Sequence, residues 1–170
     1  MGVTKAKGLQ FIVVVLLALA LVPVGAHLLA LPNKIDLPQQ EYFTVQAIYY
    51  GWSLPTGIVL IGAIAASLAL AVVTRGRGTV SWLALAAFVL IAATLVIFFI
   101  WTQPANAATM NWTVVPDNWQ ALRTQWEYSH AANAVLTFGA LCAAVASALV
   151  SRSEERSPLS ARRREPAGVG

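Results

Sequence analysis

"FIVVVLLALALVPVGAHLLAL", residues 11–31, runs without a charged side chain and carries a single polar one, His27. That length matches the ~20 apolar residues that carry a helix across a ~30 Å hydrocarbon layer. Three further runs repeat the pattern, at 47–73, 82–101 and 131–150. None alternates with period two, and a backbone in lipid must satisfy its own hydrogen bonds, so all four read as helices and not as barrel strands. Composition agrees. Hydrophobic residues make up 58% of the chain and charged residues 11%, where soluble domains carry roughly 25% charged residues. The predicted fold class is therefore all-α, a polytopic membrane protein built as a four-transmembrane-helix bundle. Its spans fall at about 9–31, 46–73, 80–101 and 128–150, within one membrane domain of residues 1–150.

The basic residues orient the bundle. Lys5, Lys7, Arg75, Arg77, Arg152, Arg156, Arg162, Arg163 and Arg164 fall in segments that share one side, leaving only Lys34 and Arg123 for the other. The positive-inside rule then places both termini in the cytoplasm of a cell-membrane protein. A pI near 9.6 follows from this asymmetry and implies no nucleic-acid partner; the partner read from composition is the lipid bilayer. The first span also has the grammar of a signal peptide, with Val24-Gly25-Ala26 as a small-residue site. Because the apolar run continues to Leu31, it is read as a retained span. Residues 151–170 read as a disordered, basic cytoplasmic tail.

Helices two and four read as extended on the outer side. Asp36-Leu37-Pro38-Gln39 and Asp117-Asn118-Trp119-Gln120 each place an acid three residues before a Gln, in the manner of a capping box. A fourth helix starting near 118 reaches about 18 Å before His130, at about 1.5 Å per residue. Helix two gains a similar overhang from Leu37 to Gln46, and the connecting loops are expected to fold over both as a cap. Pro55 is expected to kink helix two, and Cys142 to pack within helix four.

Only two histidines occur, His27 and His130, and the topology brings them to similar depth. Ionisable groups at membrane depth are costly and mark functional sites. Glu127 and His130 stand three residues apart on one helix face. With His27 they make a two-His, one-carboxylate set suited to zinc or non-haem iron, or His27 and His130 clamp a haem. The alternatives are acid–base groups acting on a substrate, or a polar network that only ties helices together. No cofactor is favoured among these readings. Gln46, Tyr49 or Tyr50, and Ser53 follow helical spacing on helix two. Trp126, His130, Asn133 and Thr137 do so on helix four and must face protein or water, since hydrocarbon offers them no partner. No P-loop, dinucleotide fingerprint, zinc-finger spacing or nucleophile elbow is present.

Trp119, Arg123, Trp126, Glu127 and His130 form a W-x3-R-x2-W-E-x2-H pattern, preceded by Pro104-x-Asn106. Together these resemble small four-helix membrane proteins of a domain-of-unknown-function family related to the fungal anthrone oxygenases, over residues 9–150. The resemblance implies a cofactor-free oxygenase, or related redox enzyme, acting with dioxygen on a small hydrophobic aromatic molecule. It also implies that Asn106, Trp126, Glu127 and His130 are the family's polar signature. Asn133 departs from the pattern, which has a basic residue there in many relatives. In such an enzyme His130, held by Glu127, is the base, with His27 and Arg123 beside it in the catalytic set. Arg123 or Asn106 steadies the oxyanion, Trp126 and Tyr50 stack on the substrate, and Gln46 and Asn133 contact it. This reading expects an enclosed pocket lined by His27, Asn106, Arg123, Glu127 and His130. A non-catalytic membrane partner or accessory subunit expects the same groups to satisfy one another.

Overall fold

The computed structural model describes residues 3–162, with side chains from 6 to 154. Six α-helices and no strand occur among them: α1 (Val3–Lys34), α2 (Gln39–Gln46), α3 (Ser53–Val73), α4 (Gly78–Ile97), α5 (Gln103–Ala108) and α6 (Trp119–Arg162). A 3-10 turn, Ala47–Tyr49, follows α2, and a π-helical turn, Phe98–Thr102, continues α4 into α5. Four segments are long and apolar enough to cross a membrane: Ala6–Lys34, Ser53–Val73, Gly78–Ala108 and Trp119–Glu154. These helices pack as a closed ring in which α1 and α4 each touch both α3 and α6. The all-α, four-span membrane bundle is thus the fold.

Small side chains let the ring close. Val13 and Leu17 of α1, Ala63 and Leu70 of α3, Ala84, Ala87 and Ile91 of α4, and Ala140 and Ala144 of α6 form one fully buried cluster. Alanine at three- and four-residue spacing lets backbones approach closely, which substitutes for the hydrophobic drive that lipid cannot supply between helices. The large aliphatic groups point the other way: Leu29 is 80% exposed, Val135 64% and Phe138 58%. A perimeter of that kind suits hydrocarbon and not water.

One end of the bundle carries the short α3–α4 turn, in which Gly76 adopts φ +82 and Gly78 φ +50. Ser147 donates to the Val80 carbonyl at 3.1 Å, and Arg77 reaches Ser151 at 3.1 Å, fastening that end. The opposite end is capped. Tyr42 of α2, Ala105 of α5, Trp112, and Leu122 and Trp126 of α6 make a second buried cluster there. Met110, Asn111 and Trp112 all have positive φ, a conformation that costs a non-glycine residue roughly 1–2 kcal/mol. The strained turn persists because Trp112 buries its indole in the cap. Its backbone amide is also satisfied, by the Thr109 hydroxyl at 3.1 Å.

Several expectations are corrected. The second span begins at Ser53 and not near 46. Its extension is a separate helix, turned by Gly51 at φ +82 after the 3-10 segment. Pro55 therefore lies in the first turn of α3, where a missing amide is tolerated, and imposes no kink in mid-span. Neither capping box forms: Pro38 is the residue before α2, with no side-chain cap, and α6 starts at Trp119. The first helix runs past Leu31 through Pro32 to Lys34. Cys142 is exposed. The tail expected to be disordered begins as a continuation of α6 to Arg162, and its remainder lies outside the described residues.

Replacing Ala140 by leucine forces new atoms into the fully buried cluster and is expected to cost about 1–3 kcal/mol. Val135→Leu, on the lipid face, should leave stability unchanged. Reversible unfolding in mixed micelles measures both, and equal effects would place the core elsewhere.

Candidate functional site

α6 presents Arg123, Trp126, Glu127, His130, Asn133 and Thr137 at helical spacing along one stripe. Trp126, Glu127, Asn133 and Thr137 are all buried, so the stripe faces protein as expected. α1 meets it with His27 and Lys34, seven residues apart and thus on one face. α2 adds Tyr42 and Gln46, one turn apart, and the 3-10 turn adds Tyr49.

An ion pair lies at the centre. Lys34 Nζ stands 2.8 Å from Glu127 Oε1, with the two side chains 5% and 0% exposed. The Tyr42 hydroxyl donates to the same carboxylate oxygen at 2.9 Å. Burial, and then the charge of Glu127, raise the Tyr42 pKa far above the ordinary phenol range. The phenol therefore stays protonated and serves as a donor. Its single proton is spent on Glu127, so Gln46 must present its amide NH2 to the Tyr42 oxygen. Three rings surround the lysine: its ammonium lies 4.8 Å from the Tyr49 centroid, 5.1 Å from Trp126 and 5.7 Å from Tyr42. Lys34 also donates a long bond, 3.5 Å, to the Tyr49 hydroxyl.

The histidines come together beside this pair. Their rings stack with centroids 4.3 Å apart and an interplanar angle of 29°. Tyr49 packs 4.3 Å from His27, and Trp126 lies 4.8 Å from His27 and 4.2 Å from His130. Trp126 is itself fixed, donating from Nε1 to Asn106 Oδ1 at 2.8 Å. Within the cluster, His27 Nδ1, His130 Nδ1, Gln46 Oε1, Glu127 Oε2 and Asn133 Oδ1 are buried without a protein partner. Folded proteins leave few such atoms, each costing about 1–3 kcal/mol. Five of them gather in this one cluster.

Other assignments change. Glu127 does not hold His130, because a full opposite charge on Lys34 and a phenol donor outcompete a neutral imidazole. With its carboxylate so engaged, Glu127 joins no ligand trio: no group of three His, Cys, Asp or Glu able to hold a metal ion occurs among the described residues. Two rings stacked at 4.3 Å leave no room for a haem between them. Arg123 does not aim at the histidines. It donates to the Leu37 carbonyl at 2.7 Å and lies over Trp119 at 4.8 Å and Tyr42 at 5.4 Å, clamping the α1–α2 connection. Tyr50 is 90% exposed in the turn after the 3-10 segment, and Tyr49 takes the inward place instead.

The expected pocket is filled by these same side chains. The larger of the two principal cavities, about 750 Å³, lies on another face of α6 beside the π-helical turn, between Ile97, Trp101, Gln125 and Tyr128. There Gln125 donates to the Trp101 carbonyl at 2.7 Å. Ser129 spends its proton on the Trp126 carbonyl, so Thr102 donates to Ser129 across 2.7 Å.

Lys34 and Tyr42 were not among the expected site residues, and Tyr49 was named only as the alternative to Tyr50 on the helix-two stripe. Lys34 had a signal: it stands seven residues after His27, but Pro32 between them reads as a helix stop. Comparison of the chain with protein-family models, with curated proteins and with solved structures finds no match.

Lys34→Met leaves a carboxylate buried and unpaired, and is expected to cost about 3–5 kcal/mol. The double replacement Lys34→Met with Glu127→Leu should recover most of that loss. Unfolding free energies of the two single variants and the double variant in one micelle composition test this, and simple additivity would show that the pair is uncoupled.

Proposed function

We propose that the chain is a multi-pass protein of the cell membrane with both termini in the cytoplasm, and that its capped end carries a cofactor-independent oxygenase site for a small, flat, hydrophobic substrate. The orientation is supported by the nine basic residues in segments on the side of the termini. The oxygenase reading is supported by the likeness of the W-x3-R-x2-W-E-x2-H pattern to the anthrone oxygenase relatives. The observation that carries it is the pair of stacked imidazoles, each with an unpartnered Nδ1, walled by Trp126 and Tyr49.

A neutral imidazole with an unpartnered ring nitrogen can accept a proton from an activated C–H. In an anthrone-type substrate the C–H lies next to aromatic rings conjugated with a ketone, so its removal by His130 gives a delocalised anion. That anion passes one electron to dioxygen, and the resulting radical and superoxide combine as a carbon-bound peroxide. The imidazolium returns its proton to the peroxide. Loss of water with the second C–H proton then leaves a carbonyl. One CH2 and one O2 thus give one C=O and one H2O, and the substrate itself is the reductant. Lys34 supplies the positive field that favours the ketone's developing oxyanion, and a flat molecule stacks on Trp126 and Tyr49 by taking over ring contacts that the imidazoles make in its absence.

A second reading is favoured by the filled space: Lys34, Glu127 and Tyr42 tie α1, α6 and α2 together, as in a non-catalytic membrane partner. Oxygen uptake by protein in nanodiscs supplied with an anthrone separates the two. The oxygenase reading expects His130→Ala to lower turnover by about 10²–10⁴-fold with the unfolding midpoint retained. Uptake no faster than in empty nanodiscs would favour the partner reading. Reporter fusions test the orientation: a reporter active only in the cytoplasm should work at both termini and fail when inserted after Pro116.

A further inference from the structure

We propose that Tyr42, Tyr49, Trp126 and Glu127 form a cage for an alkylammonium group, which Lys34 fills as a ligand tethered to the end of α1. A cation is recognised by π faces within about 6 Å together with a counter-charge. All of these surround Lys34: ring centroids at 4.8, 5.1 and 5.7 Å, and a carboxylate oxygen at 2.8 Å. The ammonium is sealed in, Lys34 being 4% exposed.

The origin of the walls argues for a receptor and not for simple packing. Tyr42 belongs to α2, Tyr49 to the 3-10 turn, and Trp126 and Glu127 to α6. α1 contributes the cation alone. The walls have anchors besides the lysine: Asn106 accepts from the Trp126 indole, Glu127 and Gln46 engage the Tyr42 hydroxyl at its donor and acceptor sides, and Tyr49 packs on His27 and Trp52. Removing the lysine therefore leaves the binding groups in place and takes away only their ligand. In the intact protein an external amine competes against a group presented at high effective concentration by its tether, so Lys34 keeps the cage closed to ammonium compounds in solution.

Lys34→Ala deletes the Cγ–Cδ–Cε–Nζ unit, which is n-propylammonium, and so defines the matching probe. K34A protein in micelles is titrated with n-propylammonium chloride, with n-propanol and sodium chloride as controls, while tryptophan fluorescence and the thermal midpoint are followed. The expected result is a saturable fluorescence change with a midpoint rise of several degrees, absent from the wild type and from K34A/E127Q. A response as large with n-propanol or in the wild type overturns the cage, as does no saturable response in K34A. Should K34A fold poorly, its yield when purified in each additive becomes the readout. Higher yield with n-propylammonium supports the cage, and equal yields, or none with either, overturn it. The readout is binding and not turnover, so this test stands apart from the oxygenase reading.

Discussion

The most demanding interaction at the capped end is one buried ion pair, Lys34 with Glu127. Withdrawing two charges from water costs several kcal/mol per ion, and their mutual attraction repays this only with good geometry and further partners. Here the partners are present: a phenol donor on the carboxylate, and three aromatic faces around the ammonium. The pair therefore selects one arrangement of α1, α2 and α6 from the many that apolar packing alone would tolerate. Trp126, one residue before Glu127, links the pair to the rest of the cap: it packs on both imidazoles and Trp112 and donates to Asn106.

The bundle was legible in the sequence and the site only in part, for a physical reason. Four runs of hydrophobic side chains long enough for lipid admit few alternatives, and the stripe from Trp126 to Thr137 had to turn away from lipid. The convergence of His27, Glu127 and His130 followed from topology and depth. Which partner Glu127 would choose did not. Local spacing favoured His130, while the actual partner, Lys34, is remote in sequence and was masked by Pro32. A proline late in a helix removes one amide hydrogen bond but need not end the helix, and α1 continues through it. Tyr49 and Tyr50 were indistinguishable by composition. One faces inward and the other outward because the chain turns between α2 and α3, and that turn rests on the positive φ of Gly51.

The two ends of α4 differ in the same instructive way. Its first turns sit in regular alanine packing, whereas the five residues that follow it widen into a π turn at Phe98–Thr102. Widening rotates the following side chains and sets Thr102 against Ser129 and the Trp101 carbonyl against Gln125. These bonds fasten α4 to α6 on a different face from the ion pair. Glu127 and Trp126 are thus gripped between two sets of polar contacts, which keeps the aromatic walls in register.

The alanine-rich cluster in mid-bundle has an electrical meaning. Val13, Leu17, Ile91, Ala140 and Ala144 are fully buried and wholly apolar, and they separate the ion pair and imidazoles from the end that holds Arg77 and Ser151. Protons and charged solutes meet a dielectric barrier there, which walls the polar cluster off from that end. Charge that moves within it crosses little of the transmembrane field, and each elementary charge gains only a fraction of the ~2.3 kcal/mol per 100 mV that full passage would release. Charge held in the cluster is therefore insulated from the membrane voltage.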